Sequence, residues 1–303
     1  MTDAPPSAGQ VLKYLWQLTL PEFWMVAIFP VYIGYVLGSK TMVPSVESVL
    51  GIIIMGPLIM GSTLMLNEYY DREIDLKNPR KAKSPLVRGL VEPENAYRAA
   101  VALMVLGLLL GTVISLPFAL VVLAAIALSL AYSVPAIRFK ALPGADLYVN
   151  AVGLGVLCPL AGYFTVVNPA VPFPYPFLAV SLFGLGAAYV PTTMMDYHVD
   201  REAGIHSISV KLGRRRAWAL GTGFIVASIA AIVLLGALDA APFSRALLER
   251  IAGLLFATVA LYAWFVRRMD YRTYWTYIAL ITLTMGINIL LWLLWYTGVW
   301  ALH

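Results

Sequence analysis

Two short acidic runs stand out in a chain that is otherwise mostly apolar. The first reads NEYYDREID and sets Asn67, Asp71 and Asp75 at successive i, i+4 positions; the second reads DYHVD and repeats the spacing with Asp196 and Asp200. Residues four apart on a helix share one face, so each run presents a row of oxygen ligands. Both rows close an apolar stretch, where acids are costly and usually face a cavity and serve a function. Oxygen ligands without clustered His or Cys favour a hard cation, and magnesium is commonly held by a few carboxylates together with substrate phosphate oxygens. The plainer alternative is a solvated rim in which these acids pair with Arg72, Lys77 and Arg201. Two matched copies at equivalent helix ends argue against it.

Basic residues surround both runs. Lys77, Arg80, Lys81, Lys83 and Arg88 follow the first; Arg201, Lys211, Arg214, Arg215 and Arg216 follow the second. Lys83 and Lys211 lie among small or turn-forming residues just past their acidic helices, which makes them candidates to reach substrate phosphate, and Arg201 joins them. Arg214 to Arg216 are accounted for by membrane topology alone. A third segment, YSVPAIRFK, sets Tyr132, Arg138 and Lys140 around a Pro turn, and point charges there suit the neutralisation of a leaving diphosphate. Tyr69, Tyr70 and Tyr197 read as interfacial aromatics. His198 lies between the two acids of its run, but side chains two apart on a helix diverge, so it is expected to face outward, as is His206.

These groups must be positioned by helices in lipid. Apolar residues make up 61% of the 303 positions and charged residues 12%, against roughly 25% charge in soluble domains. A bilayer core takes about 20 apolar residues per helix, and nine such windows are expected at 23–37, 46–66, 99–115, 118–131, 147–167, 175–195, 217–237, 246–265 and 275–300. Residues 11–20 suit a helix lying in the interface. If the N-terminus is cytoplasmic, all Lys and Arg except Lys40, Arg245 and Arg250 fall on its side, as the positive-inside rule requires. The polar start does not read as a cleaved signal peptide. The net charge of +5 thus reflects topology and implies no nucleic-acid partner. Cys158 is the single cysteine, which leaves no intramolecular disulfide or CxxC site, and no GxGxxG or P-loop pattern supports nucleotide chemistry. Trp292, Trp295 and Trp300 read as packing and an interfacial belt. The matched acid pairs lie four spans apart, as a duplicated four-helix unit would place them. The chain is therefore expected to be one domain, 1–303, built of two parallel pseudo-repeats of about 11–135 and 145–265 plus a final helix.

NEYYDREIDLKNPRK, AYSVPAIRFK and DYHVDREAGIHSISVKLG, in that order, resemble the UbiA family of intramembrane prenyltransferases over nearly the whole chain. The resemblance implies an all-α, nine-helix bundle around a central cavity, with a cap on the cytoplasmic side. It implies magnesium at Asn67, Asp71, Asp75, Asp196 and Asp200, as two ions bridging a prenyl diphosphate, and an apolar or aromatic acceptor delivered from the bilayer. It places Tyr132 beside the site. Three positions depart from the family pattern: Leu20 before Pro21, Ser84 before Pro85, and Thr193 three residues before the second pair. Two rival readings use the same acids. A cation-coupled transporter would set them near the bilayer midplane within broken helices, and an isoprenoid diphosphate phosphatase would admit water to the cation.

Overall fold

The computed structural model describes residues 7–76, 78, 81–202, 204–268 and 273–300; of the basic candidates, Lys77 and Arg80 lie outside the described residues. No strand occurs among them, and the expectation of an all-α fold holds. In chain order the helices are α1 (Ala8–Leu18), α2 (Met25–Ser39), α3 (Val46–Ile53), α4 (Gly61–Asp75), α5 (Pro93–Ile114), α6 (Leu116–Ser133) and α7 (Ala145–Val152). They continue with α8 (Cys158–Phe164), α9 (Phe177–Met195), α10 (Tyr197–Glu202), α11 (Ile208–Leu212), α12 (Arg214–Ala237), α13 (Arg245–Arg268) and α14 (Tyr274–Tyr296).

Proline sets the interruptions. π-helical stretches, Ile54–Met60 and Gly153–Leu157, join α3 to α4 and α7 to α8. Pro57 and Pro159 lack an amide hydrogen and crowd the carbonyls of Ile53 and Gly155, so the ladder widens locally and the helix continues. At the other end of the scale, Ser115 is fully extended and its hydroxyl caps α6 at Phe118 N, 3.2 Å away, which turns the chain sharply between α5 and α6.

Among the described residues, seven helices are long and apolar enough to cross a bilayer: Val46–Asp75, Pro93–Ile114, Leu116–Ser133, Ala145–Phe164, Phe177–Met195, Arg214–Ala237 and Arg245–Arg268. The pair Ala8–Phe23 and Met25–Ser39, bent by 58°, makes an eighth if taken as one span. The expected nine is therefore not reached among the described residues. The reason is length: α2 has 15 residues, about 22 Å at 1.5 Å per residue against a hydrocarbon core of about 30 Å. α1 turns away from α2 at Leu20, which stands in the left-handed region with φ 46°, so the 11–20 segment leaves the direction of the bundle. The second span runs on past Leu66 to Asp75, which carries Asp71 about 7 Å and Asp75 about 13 Å beyond the apolar window.

Between apolar helices in lipid there is little hydrophobic drive, and close backbone approach through small residues has to supply the contact. α2 and α8 meet in this way. A Cβ built at Gly34 would overlap the Pro159 carbonyl oxygen, and one at Gly162 would overlap that of Val31. The second half closes on buried hydroxyls and indoles: Tyr262 donates to Ala187 O at 2.6 Å, and Trp292 Nε1 to Pro242 O at 2.9 Å. Tyr296 then donates to Leu37 O at 3.0 Å, which ties α14 back to α2 and closes the ring. On α5 the exposed stripe Val101, Val105, Leu109 and Val113 follows the helical repeat and forms a lipid-facing surface.

Gly34→Leu and Gly162→Leu should each force α2 and α8 apart and lower the thermal midpoint in detergent, by at least the ~1–3 kcal/mol typical of overpacking. Gly223→Ala, where an added Cβ meets nothing within 4 Å, should leave it unchanged or raised. Equal midpoints for all three variants would contradict the close crossing.

Candidate active site

The first acidic run sits on one unbroken helix, α4, and is met by the turn after α6. Lys140 Nζ lies 2.6 Å from Asp71 Oδ1 and donates to Asn67 Oδ1 at 3.0 Å, while Arg138 Nη2 approaches Asp71 Oδ1 at 3.2 Å. The turn aims both cations because Arg138 itself adopts the left-handed conformation, φ 48°, uncommon for a side-chain-bearing residue. Burial lowers the pKa of the Lys140 ammonium, and Asp71 opposes that shift. Arg138 carries five donors; its Nε is buried and has no protein partner among the described residues. A buried guanidinium N–H in that state calls for an acceptor, and a diphosphate oxygen is a suitable one. Asp75, buried one turn on, lies in the fields of Lys81, Asp71, Glu68 and Lys140.

The second run differs locally. α9 ends at Met195, Asp196 forms the break with ψ 0°, and α10 starts at Tyr197. One helical turn survives the break, since Asp200 N donates to Asp196 O at 2.8 Å, so the two acids stay on one side. Ser207 Oγ donates to Asp200 Oδ2 at 2.8 Å. Burial pushes the Asp200 carboxyl up to about 7 against that lowering hydrogen bond, with the charges of Asp196, Asp71 and Asp146 adding to the rise. Asp71, from the first run, is thus among the charges that Asp200 feels. An excess of negative charge remains there, which a cation would relieve.

Beneath Asn67 and Tyr132 lies a cavity of about 200 Å³ between α2, α4, α6 and α7. Met55, Ile59, Leu128, Leu154 and Cys158 form much of its wall, with Thr63, Ser129 and Asn150 as its other polar groups; no charged side chain lines it. The Tyr132 hydroxyl lies 3.3 Å from that of Tyr189.

The structure thus brings Asn67, Asp71, Asp75, Asp196 and Asp200 to one end with Tyr132, Arg138 and Lys140. Lys83, Arg201 and Lys211 are also near that end in sequence, but their side chains are exposed. His198 and His206 are exposed as well. Tyr69 packs on Tyr70 and Tyr97, with ring centroids 5.0 and 5.2 Å apart.

Two acids escaped the sequence reading. Glu68, 2% exposed, accepts from Lys81 Nζ and Ser84 Oγ, both at 2.6 Å, and so anchors the loop that follows α4. Asp146, fully buried, accepts from Gly144 N and Ile208 N at 2.9 Å each. It holds the Ser207 loop against α7 and thereby orients Asp200. A lone acid opening an apolar span was the available signal for Asp146. The unusual positions also have local roles: Ser84 serves Glu68, and Thr193 bonds to Ser209 and to Val190 O.

Among the described residues no three His, Cys, Asp or Glu side chains form a ready-made metal cage. The donor set nevertheless fits magnesium, which takes one or two carboxylates and completes its shell with phosphate oxygens and water. Carboxylates, buried Lys140 and half-buried Arg138 at the mouth of an uncharged cavity suit an anionic head on an apolar tail.

Comparison with known proteins narrows this class. Residues 27–276 match the UbiA prenyltransferase family, and the chain belongs to that family. It is a multi-pass membrane prenyltransferase. It is 32% identical over 289 residues, 90% of this chain and 94% of the relative, to a lycopene elongase/hydratase of Halobacterium salinarum. It is 30% identical to that of Haloferax volcanii, over 77% of each chain. The fold also matches a UbiA homolog from Archaeoglobus fulgidus bound to DMAPP and Mg2+, with a TM-score of 0.73 and 24% identity over 92% of this chain and 98% of that one.

Arg138→Lys keeps the charge but removes the planar fork and its Nε donor. It should raise KM for the diphosphate substrate about tenfold, the scale of one hydrogen bond to a charged group. An unchanged KM in steady-state diphosphate release would remove Arg138 from the substrate grip.

Proposed function

We propose that this enzyme transfers a prenyl group from a prenyl diphosphate to the terminal alkene of a long isoprenoid hydrocarbon of the lycopene type, releasing diphosphate. The observation that carries the reading is the uncharged cavity directly beneath a site equipped for diphosphate. An acceptor bearing carboxylate or phosphate would need a cation inside the cavity wall, and the wall has none. The two relatives, both lycopene elongase/hydratases, agree with a hydrocarbon acceptor.

Asn67, Asp71, Asp75, Asp196 and Asp200 would hold Mg2+, and when bound the metal would offset charge on the departing diphosphate. Arg138 and Lys140 stabilise the same charge through fixed donors, which need little reorganisation as the C–O bond breaks. Exposed Lys83, Arg201 and Lys211 attract the anionic head from the aqueous side. The allylic cation then lies beside the Tyr132 ring, whose face favours positive charge, in a cavity that keeps bulk water out. The acid end faces the cytoplasm, since the basic loops gather there.

Purified protein given Mg2+, prenyl diphosphates of several lengths and a panel of lycopene, an aromatic acid and a glycerol phosphate ether should convert lycopene to a heavier product. Diphosphate release should cease with EDTA. Asp75→Asn and Asp200→Asn should lower it by about two to three orders of magnitude, the usual loss when transition-state charge stabilisation is removed. Prenylation of only the aromatic or phosphate acceptor would overturn the acceptor assignment.

A further inference from the structure

Ser129 lies on α6 and lines the cavity under the acid site, and it is 5% exposed. Its Oγ is buried and has no hydrogen-bond partner among the described residues. A helical serine usually returns its hydroxyl to the carbonyl one turn back, as Thr63 does with Ile59 O at 2.7 Å in the same wall. Ser129 keeps its hydroxyl available instead. Asn150 stands in the same wall, its amide donating to Asp146 O at 2.9 Å and neighbouring the Tyr132 hydroxyl. The cavity therefore has a polar belt of Asn67, Thr63, Ser129, Tyr132 and Asn150 in a hydrophobic wall. Such a belt can supply the two to four partners that a held water requires.

The geometry points to Ser129 as the positioning residue that holds a single water for capture of the carbocation, so that the enzyme releases a tertiary alcohol alongside an alkene. This rests on the hydrocarbon acceptor proposed above. As the allylic C–O bond breaks, diphosphate takes the electron pair; the acceptor's terminal C=C pair then forms the new C–C bond. The positive charge moves to the tertiary carbon of the acceptor. Loss of a neighbouring proton to the released diphosphate restores an alkene. Attack by the water oxygen makes a C–O bond instead, and the extra proton passes to the released diphosphate, the strongest base nearby. Prenyl diphosphate, acceptor and water thus give hydroxylated product and protonated diphosphate, with no oxidant or reductant required. An apolar wall alone would favour proton loss, because nothing would hold water at the cation.

The test runs the complete enzyme with lycopene, a prenyl diphosphate and Mg2+ in water enriched in oxygen-18, and reads the alcohol-to-alkene ratio by mass spectrometry. Wild type should give a prenylated product carrying one labelled hydroxyl. Ser129→Ala should lower the ratio about fivefold or more, the scale of one lost hydrogen bond. Ser129→Thr, which retains the hydroxyl, should restore most of it, whereas a merely structural role would move total turnover and leave the ratio alone. Prenylated alkene without any labelled alcohol in wild type, or an unchanged ratio in Ser129→Ala, overturns the role of Ser129 while the prenyl transfer stands. Absence of any prenylated lycopene overturns the parent reading and this inference with it.

Discussion

The constraint on which the structure turns is the cost of holding carboxylates at the end of an apolar helix bundle. Asp71, Asp75, Asp196 and Asp200, joined by buried Glu68 and Asp146, place more negative charge there than a membrane-facing core tolerates unaided. Four of these acids are each stabilised in a different way. Asp71 has Lys140 and Arg138, Glu68 has Lys81 and Ser84, Asp146 has two backbone amides, and Asp200 has Ser207. The compensation is uneven. Asp200 stays under strain from burial and from its neighbours, and Arg138 retains a buried donor. Both features favour a ligand that brings positive metal charge and negative phosphate oxygens together, as a metal-bound prenyl diphosphate does.

The irregular backbone serves the same end. Prolines widen two long helices into π-helical stretches, and both stretches lie on elements that also line the cavity, through Met55, Ile59, Gly153 and Leu154. Backbone contact between α2 and α8 at Gly34 and Gly162 holds that wall together. Ties from α14 to α2, and from α13 to α9, close the other half. The apolar chamber and its charged mouth are thus consequences of one packing arrangement. Family membership makes the molecule a prenyltransferase, which sets aside the transporter reading, and placement of the acids at helix ends had already disfavoured it.

Much of this was legible in the residues because it depends on local spacing. An i, i+4 acid row declares a helical face wherever that helix sits, and a run of about 20 apolar residues declares a span. The helical class and the two acidic ends followed. Span counting was less secure: α2 is short and bent away from α1 at Leu20, a left-handed residue that composition does not reveal.

Sequence by itself determined which oxygen ligands and cations this protein could offer, since side-chain chemistry and helical periodicity need no tertiary information. Tertiary structure alone decided which of them meet. It turned Lys140 and Arg138 onto Asp71, 67 or more residues away along the chain, and it left Lys83, Arg201 and Lys211 exposed. It also buried Glu68, Asp146 and Ser129. These outcomes depend on how helices distant in sequence pack against one another, and a partner across the bundle leaves no trace in the spacing of the residues beside it.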